Sequence, residues 1–199
     1  MNMPIVRPLA LLLSGVALWG ATPAVAECTR APVRVNLPKQ RMDERIQQLA
    51  HLTGCFMEVE PALLADREAP RVRGKLTARE ALYLSLRGSG LEAARYKGHW
   101  RIDRRQQERF ARRIETLRAT TAAQEERDAI SHLRATGVRH TMRHVEKAVP
   151  REVREQAHLD VKKRIRYNEQ LDGVARRIGT PPAPLPSGWV AAVTAPATR

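Results

Sequence analysis

Between Val33 and Asp103 the apolar period changes from two to near 3.6 and back, twice in succession. Val33, Val35 and Leu37 alternate with Arg34 and Asn36, the pattern of a half-buried strand that Pro38 ends. Met42, Ile46, Leu49, Ala50 and Thr53 then share one face at helical spacing, and Gly54 is placed to stop that helix. Cys55 to Glu60 reads as a second strand with Met57 and Val59 on one face, and Pro61 opens a connector that runs to Pro70. The second round repeats the plan. Val72 to Leu76 is a short strand, and Thr77 to Glu80 has the spacing of a capping box. A helix follows through Ala81, Leu82 and Leu86 to Gly88 and Gly90. Leu91–Tyr96 and Trp100–Arg104 form a hairpin around Lys97, Gly98 and His99, with His99 expected at the surface. A chain punctuated this way is α+β: a small βαβ–βαβ module.

The segment before it sets the compartment. Arg7, the apolar run Leu9–Trp19 and the small residues Ala24, Val25 and Ala26 follow the order of a cleavable signal peptide over 1–26. The run is short for a permanent span. Glu27 directly precedes Cys28, where lipid attachment needs a small residue, so the mature chain is expected to begin at Glu27; with no second long apolar run after it, that chain is expected to be soluble or peripheral. Cys28 and Cys55 are the only cysteines. In an exported protein such a pair reads as one structural disulfide. Closing that loop stabilises the fold by about 3–4 kcal/mol on a chain-entropy account.

Several module segments together carry a family resemblance. They are Leu37-Pro38-Lys39-Gln40, the helix end Leu49-Ala50-His51-Leu52-Thr53-Gly54, Gly74-Lys75-Leu76-Thr77, Glu80-Ala81-Leu82, and Leu86-Arg87-Gly88-Ser89-Gly90-Leu91. In order and spacing, from Val33 to about Arg104, they resemble the short N-terminal domain of secretins and TonB-dependent receptors, the STN domain. The closing strand with Trp100 and Ile102 fits as well. The resemblance implies two helices held between two small sheets. It also implies a periplasmic protein-interaction role, not an enzyme. In transducers this domain contacts an inner-membrane anti-sigma regulator; in secretins it meets other secretion components. No plug, barrel or ring domain is read after the module, so only the binding role carries over. The expected partner is a secretin, a TonB-dependent receptor or an anti-sigma regulator, with association to the outer membrane.

Past residues 27–104 the character changes. The stretch 105–178 is rich in Arg, Glu, Gln and Ala and reads as a mainly α-helical extension. Its apolar stripes are thin: Phe110, Ile114 and Leu117; Ile130 and Leu133; Met142, Val145 and Val149; Val161 and Ile165; Leu171, Val174 and Ile178. Gly137 and Pro150 are expected to divide it, since proline costs a helix interior about 3 kcal/mol. Such helices bury little alone, so packing on each other, on the module or on a partner, and partial disorder before binding, all stay open. Residues 179–199 read as a proline-rich linker and an unstructured tail, with Trp189 in a candidate docking peptide.

The formal charge of +14 and pI near 11.0 favour anionic partners. The clusters Arg104-Arg105, Arg112-Arg113, Lys162-Lys163-Arg164 with Arg166, and Arg176-Arg177 are the candidate anion-binding surface. They support a second reading: a basic envelope-binding protein that contacts lipopolysaccharide, anionic lipid or cell wall. Nucleic acid is not an expected partner, because the leader directs export and the aromatic content of 4% leaves few stacking platforms. No catalytic motif is present, and neither cofactor nor metal is expected. His140 and His144 have a two-ligand helical spacing without a third ligand nearby.

Overall fold

The computed structural model describes residues 28 and 31–182. The leader, its cleavage point and the Trp189 segment lie outside them. The module runs β1 (Val33–Leu37), β2 (Gln40–Arg41), α1 (Met42–Thr53), β3 (Met57–Val59), α2 (Pro61–Leu64), β4 (Glu68–Ala69), β5 (Val72–Leu76), α3 (Ala78–Leu86), β6 (Glu92–Tyr96) and β7 (His99–Asp103). Three helices follow: α4 (Arg105–Glu126), α5 (His132–Gln156) and α6 (Val161–Arg177).

The two strand–helix–strand rounds interleave. Their first strands pair with each other, β1 antiparallel to β5 with Val35 opposite Gly74. Their last strands share the other sheet, in the order β3-β7-β6, with β3 parallel and β6 antiparallel to β7. α1 and α3 pack on each other between these sheets. Local chemistry starts and stops the helices as expected. Thr77 Oγ1 accepts from the Glu80 amide and Glu80 returns a bond to the Thr77 amide. Gly54 closes α1 at φ 63°, a left-handed turn that costs glycine little.

The connector after Pro61 is more ordered than the sequence implied. Pro61 stands at the first position of the short helix α2, where its missing N–H is no loss. β4 then pairs with β2, which the sequence reading had not placed.

The core joins Leu37, Met42, Leu49, Leu82, Leu86, Leu91, Trp100 and Ile102, all nearly inaccessible. A charged side chain lies within it. Arg45 is fully buried on α1 with no carboxylate partner; it donates to Pro70 O at 2.8 Å, to Ser85 Oγ at 3.0 Å and to Pro38 O. The guanidinium therefore ties α1 to the loop leaving β1, the loop entering β5 and α3. Burial lowers its pKa. Cys28 and Cys55 are joined by a disulfide across 27 residues of sequence, which pins the segment before β1 to the end of α1.

The helical half has its own core of Phe110, Ile114, Leu117, Val138, Met142, Val145, Val149, Val153, Tyr167, Leu171, Val174 and Ile178. The thin stripes close on one another. Three expectations fail here. Gly137 and Pro150 do not divide the segment: α5 runs unbroken through both. Ala135, Val138, Met142, Val145, Val149 and Val153 bury one continuous stripe, and that burial outweighs the proline and glycine costs. The breaks fall elsewhere, at Asp128, with φ 53°, before the Ser131 cap, and at Ala157, with φ 59°. Leu133 is not in a stripe: at 83% exposure it faces outward on the first turn of α5. Val161 and Ile165 are only half-buried, and Leu159 and Tyr167 take the core positions.

This half is also fastened to the module. The Gly88 amide donates to Arg154 O and the Ala93 amide to Ala157 O, each at 2.9 Å, so the α5–α6 corner caps the free edge of β6. Ala157 packs into the module core. Tyr83 of α3 stacks on His158 with centroids 4.4 Å apart.

Candidate interaction surface

In the β3-β7-β6 sheet, side chains alternate between the core and the open face. Met57, Trp100, Ile102 and Ala93 turn inward. The register brings Glu58 beside Arg101 and Tyr96 beside His99 on the open face. Phe56, directly after the disulfide-bonded Cys55, stands at its margin with two-thirds of its surface exposed. Its carbonyl accepts from the Trp100 amide at 3.0 Å, which fixes where the ring emerges.

The patch is braced from within. His99 Nε2 donates to Glu58 Oε2 at 2.7 Å, and Arg101 Nε donates to the same oxygen at 3.0 Å. The His99 ring meets Phe56 edge-on at 5.4 Å and Tyr96 at 5.6 Å. The Arg101 guanidinium lies 3.4 Å from the Tyr96 centroid. His99 and then Arg101 hold the Glu58 carboxyl below its usual range, and Glu58 in turn raises Arg101. Arg101 and Lys97 lower the Tyr96 phenol. Two exposed rings, Phe56 and Tyr96, are thus held in one orientation by an ion-pair network. His99, expected as an exposed turn residue, is the half-buried centre of that network. A cleft of about 220 Å³ continues from Glu58 and Arg101 past Leu63 and Asp103 to Arg105 at the start of α4.

The candidate anion-binding residues do not form one surface. Arg113 is turned inward, donating to Asn168 Oδ1 at 2.7 Å and pairing with Asp172. Lys163 pairs with the buried Glu152. Arg164 is half-buried, and that desolvation lowers its pKa. Arg105 leans on Asp103 at 3.1 Å and Arg112 on Glu108 at 3.7 Å. Arg104, Lys162, Arg166, Arg176 and Arg177 are exposed without an ion pair among the described residues, but they are spread over the start of α4 and both ends of α6. His140 and His144 are exposed, and no group of three or more metal-ligating side chains occurs among the described residues. No helix among them is long and apolar enough to cross a membrane.

At the seam, Glu92 of β6 is buried at 3% exposure. One carboxylate oxygen accepts from the Gln106 amide in the first turn of α4, and the other has no hydrogen-bond partner among the described residues. Burial pushes its pKa up to about 7; the Gln106 amide opposes the shift and Asp103 adds to it. Glu92 went unremarked in the sequence because a strand that alternates toward solvent gives no sign that a later helix will cover it.

No protein-family model matches this chain, and no curated protein matches it. Among solved structures, the crystal structure of the ferripyoverdine receptor of the outer membrane of Pseudomonas aeruginosa bound to ferripyoverdine is similar to a part of it, at 19% identity and a TM-score of 0.35. The match covers 36% of this chain and 10% of that one, so the chain spans about a tenth of the length of the structure it resembles.

Proposed function

We propose that this chain is an exported protein–protein interaction module of the cell envelope, acting as an accessory of a secretion, conjugation or TonB-linked signalling or transport system. The observation that carries the reading is the braced aromatic face: Phe56 and Tyr96 stand exposed, each edge-on to His99, while Glu58 and Arg101 hold the array. Rigid exposed rings of this kind bury large area on a partner at small entropic cost, and they are the side chains that dominate protein interfaces. The STN resemblance of residues 33–104 and the disulfide both suit a periplasmic setting. The natural partners on this reading are a secretin, an outer-membrane receptor or an anti-sigma regulator.

The test is crosslinking and affinity capture of the disulfide-intact protein from its native envelope fraction, beside a Phe56→Ser/Tyr96→Ser variant. The expected result is recovery of an envelope-complex component by the unaltered chain and its loss with the variant. Equal recovery by both would remove the aromatic face from the interface, and recovery of no protein component would sink the interaction reading itself.

A further inference from the structure

A second surface lies away from the aromatic face. On α5, Arg143, Lys147, Arg151 and Arg154 follow one another at spacings of four, four and three. At about 100° per residue this keeps all four within an arc of about 80°, and the run extends about 16 Å along the helix. All four are exposed, and none forms an ion pair or a side-chain hydrogen bond among the described residues. Arg139, one turn before Arg143, is engaged by Glu125, and Glu146 pairs with Arg118 at 3.0 Å. Because α5 continues through Pro150, cations on either side of the proline share one line, which the sequence reading had broken in two.

The stripe ends in a cleft of about 340 Å³ at the seam between module and helices, lined by Arg67, Ser89, Gly90, Arg104, Gln107 and Arg154, among others. Arg67 is half-buried and donates to the carbonyls of Leu63 and Ser89, so no carboxylate neutralises it. Arg104 and Arg154 likewise have no acidic partner among the described residues, and the single carboxylate on the wall, Glu108, approaches Arg112 at 3.7 Å. A concave wall carrying Arg67, Arg104 and Arg154 suits a phosphate, whose oxygens accept from guanidinium N–H groups. Of the exposed large apolar side chains, Leu52, Phe56 and Tyr96 belong to the module, and Leu133 stands on the first turn of α5, ten residues before Arg143.

We propose that α5 and this cleft form a docking surface for an anionic lipid surface: the cleft takes one phosphate headgroup and the stripe lies across its neighbours. A single soluble phosphate would engage the cleft and leave the stripe idle; an array of headgroups uses both. With no apolar side chain in the stripe, the contact is at headgroup depth and electrostatic, not insertion.

Vesicle co-sedimentation of the disulfide-intact protein tests this, using phosphatidylcholine vesicles with and without phosphatidylglycerol, at low and at high salt. The expected result is binding that requires phosphatidylglycerol and weakens steeply with salt. The exposed triple variant Arg143→Gln/Lys147→Gln/Arg151→Gln should bind on the order of 100-fold more weakly. The charge-matched variant Arg166→Gln/Arg176→Gln/Arg177→Gln should lose far less. Arg154→Gln alone should reduce binding and also any competition by inorganic phosphate. Equal losses in the two triple variants would overturn the site in favour of diffuse charge. Salt-insensitive binding, or calorimetric binding of inorganic phosphate without vesicle binding, would overturn the lipid surface. The salt titration of the unaltered protein decides this last point without any variant.

Discussion

The two halves of this molecule solve the same problem, making a core from a short chain, in opposite ways. The module crosslinks itself: a disulfide, a buried arginine that ties two loops to two helices, and interleaved strand pairs hold about seventy residues, a size at which hydrophobic burial alone is marginal. The helical half has no covalent tie and no buried charge without a carboxylate partner among its described core residues. It relies on long helices whose narrow stripes meet, closed by ion pairs such as Arg113–Asp172 and Lys163–Glu152. The lesson is about where positive charge goes. Arg113 and Lys163 inside the helical half are paired with acids, whereas Arg45 in the module is held by carbonyls and a hydroxyl.

The sharpest way to break the contrast is Arg45→Ala. It removes three ties and leaves Pro38 O, Pro70 O and Ser85 Oγ without their donor, so a loss of about 3–5 kcal/mol is expected in denaturant titration. A loss below about 1 kcal/mol would mean that the arginine fills space and ties nothing. Next in size is removal of the crosslink by Cys28→Ala/Cys55→Ala, expected to cost about 3–4 kcal/mol. That loss should appear as earlier exchange of module amides with the α4–α6 core unaffected; uniform loss across both halves would show that they unfold as one unit.

The seam itself titrates. Burial pushes the folded pKa of Glu92 up to about 7 from the ordinary 4.5 of a glutamate, so between these values the folded state holds more protons than the unfolded one. Stability should therefore be greatest at the acid end of that window and fall as pH rises through it, by about 2–3 kcal/mol between pH 5 and pH 8. Glu92→Gln should flatten the profile; an unchanged slope would assign it to other groups. Smallest is Phe56→Ser, expected to change stability by no more than about 0.5 kcal/mol because the ring is mostly exposed. A thermal melt well below the unaltered protein's would show that Phe56 supports the fold instead of waiting for a partner.

How much could be read in advance also differs between the halves. In the module, β1, α1, β5 and α3 sit where proline, glycine, the capping box and alternating apolar residues put them, because those signals act within a few residues. What was missed there depends on neighbours distant in sequence: the short helix at Pro61 and the β2–β4 pair, the burial of Arg45, and the joining of Phe56, Glu58, Tyr96, His99 and Arg101 into one face. In the helical half the stripes at Phe110, Met142 and Leu171 were legible, but the boundaries were not. Gly137 and Pro150 carry a real local cost that a continuous buried stripe exceeds, while the true breaks at Asp128 and Ala157 are non-glycine residues in left-handed turns, with no local signature. Where the members of the basic clusters point was not legible for the same reason: adjacency in sequence, as in Arg112-Arg113 or Lys162-Lys163, puts neighbouring side chains in different directions around a helix, one outward and one into an ion pair.

By itself the sequence determined the class of fold, the order of the module's longer strands and its two main helices, and the pairing of the only two cysteines. Each follows from short-range backbone sterics or from a choice with one solution. Only the tertiary structure decided which strands share a sheet, that the three helices form a core docked on β6, which arginines are spent internally, and which line up on α5. Those outcomes depend on how much surface distant segments bury against each other, a quantity no local window of sequence contains.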